Sequence, residues 1–406
     1  MRVLFISPFA ELGGSERCLL DMLAMLGRAA PEIERRLLLM AEGPLEREAG
    51  ALGAKVTTLP LPRELGALGE SGSATSFARG VLAGLRVSRS ALGYLREFDR
   101  VLGSIRPDVV HSNGMKAHVL TATLARRRCP IVLHMHDLVG QRRLSKHLLA
   151  LLCSRQVRVV ANSSAVLHDC AKVLPRARVS LVRNAVDTAY FSPGPGEPEW
   201  LSAMAGMAAP GPSTTCFALV STFARWKGHD LVLRAAARAL ELEPGLDARW
   251  YIVGEPIYTT SGGQFSRDEL VGLARELGIE DRVGFAPFVR DVARVFRSAD
   301  VVVHASNERE AFGRTIVEAM ACQRPVIACA AGGAAELFED GVTALGFPPG
   351  DVAALARAML RLAREPALRG RMARAGREHA VSAFDRERLG PELVDLYRGV
   401  LAGGSA

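Results

Sequence analysis

Residues Asp300–Gly333 read "DVVVHASNEREAFGRTIVEAMACQRPVIACAAGG", and this stretch decides the fold. An apolar β-branched run gives way to the polar "NEREAFG". Next comes "RTIVEAMACQ", with Ile316, Val317, Met320 and Ala321 at helical spacing, and then a second apolar run, "PVIACA". Strand, loop, helix and strand in that order form a βαβ unit, and such a unit implies a parallel sheet. Glycine marks both loops that follow the strands: Gly313 stands where the helix opens, and Gly332 and Gly333 follow the second strand.

Working outward, the same alternation runs through the chain. The strands expected in the front half are 2–7, 35–40, 56–61, 108–112, 131–136, 158–163 and 179–184, with helices over 15–29, 79–104, 115–128 and 164–173. After a Pro/Gly-rich stretch the pattern restarts with strands at 216–221, 249–254, 282–288, 300–305 and 325–330. The segment 377–401 reads as helical with a break near Gly390 and Pro391. The fold class is therefore α/β, with two Rossmann-like domains. Residues 1–190 form the first, 191–212 a linker, 213–380 the second and 381–406 a terminal helix and tail. A chain of 406 residues fits two cores better than one. Open parallel sheets bind ligands in the crevice at their strand carboxyl ends, so chemistry is sought in the loops that follow strands.

Composition excludes several classes. An apolar content of 49% with 23% charge is that of a globular protein. Seven cysteines without a C-x-x-C pair read as free buried thiols of a reducing compartment. "MRVLFISPF" runs straight into polar sequence and reads as a first strand, not a signal peptide, and no run of about twenty apolar residues spans a membrane. Residues 1–190 hold 27 Lys and Arg against 16 Asp and Glu, and the remainder 24 against 27, so the positive charge sits in the front half. Its clusters, Arg79, Arg86 and Arg89, Arg126–Arg128, then Arg142, Arg143, Lys146 and His147, are either solvated helix faces or contacts for phosphate groups. Only 6% aromatics and no reading motif argue against nucleic acid.

Glu310 and Glu318 flank Gly313. On a continuous helix they would stand about 12 Å apart and about 80° apart in azimuth. That exceeds the roughly 5–9.5 Å between paired glycosidase carboxylates. They are either two surface charges or the two ends of an elongated site. For the second reading, backbone N–H groups of Phe312 and Gly313, and those around Gly332 and Gly333, offer donors to a diphosphate lying between hydroxyl-bearing ends. A nucleotide sugar has that shape. Arg225 and Lys227 follow the strand 216–221 and supply cations for the same diphosphate. Gly13 and Gly14 precede the first helix, as a tight turn or as an anion site, without the G-x-G-x-x-G fingerprint of dinucleotide binding. His134 and His136 share a face at the end of one strand, and His111 and Asn113 end another. No Cys or Glu beside these histidines supports a metal site.

The ordered set "GGSER", "DVVHSNG", "LVRNAVDTAYFSPG", "RWKGHDLVLRAA" and "SNEREAFGRTIVEAMACQRPVIACAAGGAAELFEDGVTAL" resembles the retaining GT-B glycosyltransferases of family 4 type across most of the chain. The resemblance implies two facing Rossmann-like domains, with a C-terminal helix crossing back to the first. It implies a nucleotide-sugar donor on the second domain, a UDP- or GDP-sugar with no further cofactor and no metal, and a glycan or lipid-linked acceptor on the first. By position, Glu318 takes the ribose hydroxyls and Glu310 those of the transferred sugar. Phe312 and Gly313 give backbone donors, Lys227 neutralises the diphosphate, the Gly13–Gly14 loop closes over phosphate and acceptor, and His136 contacts the sugar. His111, Asn113, Arg142 and Arg143 are expected on the acceptor side. Ser221-Thr222 replaces the customary Gly-Arg, which makes Arg225 the candidate replacement for the diphosphate arginine near Thr222. Gln323 replaces a glycine after the helix and is expected to need a different turn geometry. The implied activity is sugar transfer with retention in cell-surface polysaccharide or glycolipid synthesis, in the cytoplasm; the basic front half suggests an acceptor carried on a lipid at the inner membrane face, with peripheral contact to anionic lipid. The alternatives are a related nucleotide-sugar 2-epimerase or hydrolase, and a non-catalytic nucleotide-sugar-binding regulator.

Overall fold

A computed structural model describes residues 1–62, 76–125, 128–142, 145–153, 157–256 and 263–403; over 76–89 it describes the backbone. The chain divides into two compact units, Met1–Ala185 with Arg386–Ala406, and Val186–Asp385.

The first unit holds seven strands: β1 (Arg2–Ser7), β2 (Glu34–Leu39), β3 (Lys55–Thr58), β4 (Val109–Asn113), β5 (Ile131–Met135), β6 (Val157–Ala161) and β7 (Arg178–Leu181). They pair in parallel in the order β3-β2-β1-β4-β5-β6-β7. The strand order reverses between β1 and β4, which is where ligands bind in doubly wound sheets. β4 and β5 are buried along their whole length, as central strands covered on both faces must be. The second unit repeats this plan with β8 (Thr215–Val220), β9 (Ala248–Val253), β10 (Val283–Ala286), β11 (Val301–His304), β12 (Val326–Cys329) and β13 (Leu345–Phe347). Its order is β10-β9-β8-β11-β12-β13, all parallel, with the switch between β8 and β11.

Several expectations are corrected. The first unit's N-terminal part runs to Ala185, five residues short of the expected 190, and residues 191–212, expected as a linker, fall in the stretch grouped with the second unit. Within them Pro198–Met204 is a helix, Leu201 is buried, and the Ser202 and Tyr251 hydroxyls meet at 2.7 Å. Proline in a first helical turn sacrifices no hydrogen bond, because those N–H groups have no intrahelical partner. The same reasoning carries the helix Leu389–Gly403 through Pro391; the break falls earlier, at Asp385 and the 3-10 turn Arg386–Arg388.

That last helix belongs to the first unit. A Cβ on Gly390 would lie 2.6 Å from Ala29 Cβ and 2.8 Å from the Met25 carbonyl oxygen, so glycine permits close approach to the helix Gly14–Ala29. Leu393, Tyr397 and Val400 then join Val3, Phe5 and Leu19 in one core. All seven cysteines are free thiols, six of them buried. Among the described residues no helix is long and apolar enough to cross a membrane.

Candidate functional site

In the second unit three strand-end loops converge. After β8, Arg225–Lys227 forms a 3-10 turn closed by Gly228 at φ 73°. A Cβ there would lie 2.0 Å from the Ala305 carbonyl oxygen, so only glycine lets this turn meet the loop after β11. The Asn307 N–H donates to the Trp226 carbonyl at 2.9 Å and ties the two loops together. The loop after β11 reaches Gly313 at φ 101°, which caps the helix Arg314–Ala321. Phe312 buries its ring against Phe384, so its backbone is what it can offer a ligand. After β12, Gly332 takes φ 61° and Gly333 N–H donates to the Glu310 carbonyl at 2.8 Å. The second glycine turn therefore lies directly beside Glu310.

The Glu310 carboxylate accepts three hydrogen bonds. Lys227 Nζ lies 2.7 Å from Oε1; His304 Nε2 at 2.6 Å and Ser306 Oγ at 2.7 Å serve Oε2. Burial opposes its charge, but Lys227 and His304 outweigh that and hold the carboxyl well below the ordinary glutamate range. Glu318 is buried one turn along the helix from Arg314, whose Nε donates to Oε1 at 2.9 Å. Lys227 and Glu310 thus meet where the Gly332–Gly333 turn packs on the loop that leads into Gly313. His304 and Ser306 escaped the sequence reading, although a histidine ending an apolar strand was a signal that His111 had already given.

Arg225 points elsewhere. Its guanidinium lies 4.2 Å from the Phe265 ring centroid and 2.6 Å from Glu269 Oε1. Thr222 is half-buried in the same loop. Gln323 overturns the expected change of turn: it adopts the left-handed conformation itself, at φ 56°. Its N–H reaches the Met320 carbonyl and the Arg324 N–H the Ala319 carbonyl, at 2.9 and 3.0 Å, closing a Schellman turn. Hydrogen bonds offset the strain of a side chain in that region.

In the first unit a buried polar row lies at the ends of β4 and β5. The Tyr397 hydroxyl meets His111 Nδ1 at 2.7 Å, His111 Nε2 meets His134 Nδ1 at 3.2 Å, and the His134 ring stacks on His136 at 4.4 Å. Burial lowers His111 and His118 to about 3 and His134 well below its usual value, so these rings are neutral. Asn113 donates to the Ser15 carbonyl at 3.4 Å. Gly13 has φ −85°, Gly14 has no positive φ, and a Cβ on Gly14 would meet nothing within 4 Å. Steric need does not explain Gly14. Arg142 is exposed and paired with Asp137 at 2.8 Å; Arg143 lies outside the described residues, as do Arg126 and Arg127. Among the described residues no group of three or more His, Cys, Asp or Glu is placed to hold a metal ion.

Two family models match, Glycosyltransferase Family 4 over residues 44–190 and Glycosyl transferases group 1 over residues 212–379. The D-inositol 3-phosphate glycosyltransferase of Actinosynnema mirum is 36% identical over 226 residues, 54% of this chain and 52% of that protein. The protein of the same name from Mycobacterium tuberculosis is 38% identical over 228 residues, 55% and 44% of the two chains. The chain thus spans about half the length of the curated relatives it matches. Among solved structures, Anabaena HepE in complex with UDP-glucose has a TM-score of 0.79 at 23% identity, covering 98% of this chain and 100% of that one. Sucrose-phosphate synthase from Thermosynechococcus elongatus has 0.77 at 20%, covering 99% of both. At these identities the likeness to the solved structures is one of fold.

Proposed function

The chain belongs to the group 1, family 4 glycosyltransferases, and from that premise we propose that it moves a sugar from a nucleoside-diphosphate sugar to a hydroxyl acceptor, with retention at the anomeric carbon. The observation that carries this reading is the 2.7 Å contact between Lys227 and Glu310 at the mouth of the Gly313 and Gly332 turns. A cation and a carboxylate lie side by side next to the Gly313 helix entrance, as a diphosphate joined to a hydroxyl-rich ring requires.

Lys227 and the Gly313 helix entrance stabilise the leaving diphosphate as the glycosidic bond breaks. An oxygen of that leaving group then takes the acceptor's proton, so the step uses no carboxylate nucleophile. Glu318 receives the ribose and Glu310 the sugar. Arg225, engaged with Glu269 and Phe265, leaves the diphosphate to Lys227 in this arrangement. His136 serves the transferred sugar and the Gly13–Gly14 loop the phosphate and acceptor, whereas His111, fully buried between Tyr397 and His134, supports that row without meeting a ligand itself. The role is cell-surface polysaccharide or glycolipid synthesis at the cytoplasmic membrane face.

The test is a donor panel headed by UDP-glucose, the ligand of HepE, and an acceptor panel headed by inositol 3-phosphate, named in the curated relatives. Turnover with an acceptor and an unchanged anomeric configuration supports the reading. An isomerised sugar, or donor hydrolysis that no acceptor accelerates, rejects it in favour of an epimerase or hydrolase.

A further inference from the structure

We propose that His304 is a positioning residue that holds the Glu310 carboxylate in register for the transferred sugar. This rests on the donor reading of Glu310 given above. His304 ends β11, is 4% exposed and pairs in register with Ala328 of β12, so the sheet fixes its backbone. Its ring lies beneath the helix entrance, because a Cβ on Gly313 would stand 3.5 Å from its Nε2.

Donor and acceptor roles follow from the inventory of lone pairs. Glu310 is anionic, so the 2.6 Å contact is Nε2–H donating to Oε2. His304 Nδ1 is buried without a partner, so Nε2 is the ring atom that engages this loop, 2.6 Å from Glu310 Oε2 and 3.3 Å from Ser306 Oγ. A carboxylate has about four acceptor positions. His304 and Ser306 fill both on Oε2 and Lys227 fills one on Oε1. The remaining position, on Oε1 beside Lys227, receives a hydroxyl of the sugar. His304 never touches the sugar; it sets the carboxylate plane that decides where that lone pair points.

The test measures dissociation constants of the full chain for UDP-glucose, UDP-N-acetylglucosamine, GDP-mannose and ADP-glucose, and for UDP, GDP and ADP. The readout is the ratio of the diphosphate constant to that of its sugar conjugate. For H304L this ratio should fall about tenfold while the diphosphate constant changes less than threefold, and H304Q, whose amide reaches the same oxygen, should restore most of it. An unchanged ratio in H304L, or equal weakening of both ligands, overturns the proposal. Should H304L fail to fold, H304N decides, since its shorter amide cannot reach Oε2: the same selective loss supports the proposal and an unchanged ratio overturns it. A wild type that binds none of the sugar conjugates overturns the donor reading, and the proposal with it.

Discussion

At the scale of the residue, the two groups assigned to opposite ends of the diphosphate–sugar linkage are bonded to each other. A diphosphate must draw Lys227 away from Glu310 or share it. E310Q removes the competing charge, so it should tighten binding of the bare nucleoside diphosphate about threefold or more while weakening the sugar conjugate, read by calorimetry. Equal weakening of both ligands would refute the competition. Gln323 offers a separate test: Q323G relieves left-handed strain, and urea unfolding should show a gain of up to about 1 kcal/mol once glycine's extra chain entropy is deducted. A loss of stability would show that the Gln323 side chain makes a compensating contact. The meeting of Lys227 with Glu310 was legible in the sequence, because glycines and strand ends frame both loops. His304 and Ser306 were not, because their meaning depends on which carboxylate the loop folds back onto them. The outward turn of Arg225 was equally hidden, since Phe265 and Glu269 lie some forty residues away in the chain.

At the scale of the element, each of the twelve expected strands begins within one residue of its observed start, because buried parallel strands are short apolar runs bounded by turn residues. β13 was missed because it has three residues, too few to show a period. The helix Pro198–Met204 inside 191–212 was not legible, because Pro and Gly density marks helix starts as well as loops. The helix Leu389–Gly403 makes a polar contact inside an apolar core, so Y397F should cost about 1–2 kcal/mol in urea unfolding by leaving His111 Nδ1 unmet; a neutral change would mean the hydroxyl is idle. The helix Ser145–Leu152 exposes Leu148 and Leu151, the latter 73% accessible, beside Lys146. If it lies on anionic lipid, an L148E/L151E variant should lose sedimentation with phosphatidylserine vesicles at unchanged melting temperature, and added salt should weaken the wild type. Retained binding would remove this helix from the membrane reading.

At the scale of the whole molecule, acid should act unevenly. His111, His118 and His229 titrate near 3 when folded because burial disfavours their charge, against an ordinary 6.5. Below that value the unfolded chain binds protons that the folded chain does not, so stability is complete above about pH 6.5 and falls as pH drops. Each ring costs about 1.4 kcal/mol by pH 5.5. The first unit holds His111, His118 and His134, the second His229. Trp200, Trp226 and Trp250 all lie in the second unit, so tryptophan fluorescence reports it alone, whereas far-ultraviolet circular dichroism reports both. Between pH 7.5 and 5.5 the dichroism midpoint in urea should drop further than the fluorescence midpoint; equal drops would refute the assignment.

The first unit is also discontinuous, since Arg386–Ala406 completes a core begun at Met1. On the ribosome, the stretch 186–385 must be made between the two parts, which takes roughly 10–40 s at about 5–20 residues per second. Throughout that interval the helix Gly14–Ala29 lacks its cover and shows apolar side chains to the cell, while the later half of the protein has everything it needs to fold. The order of maturation thus runs opposite to the order of synthesis, and the nascent first unit is the half that would call on a chaperone.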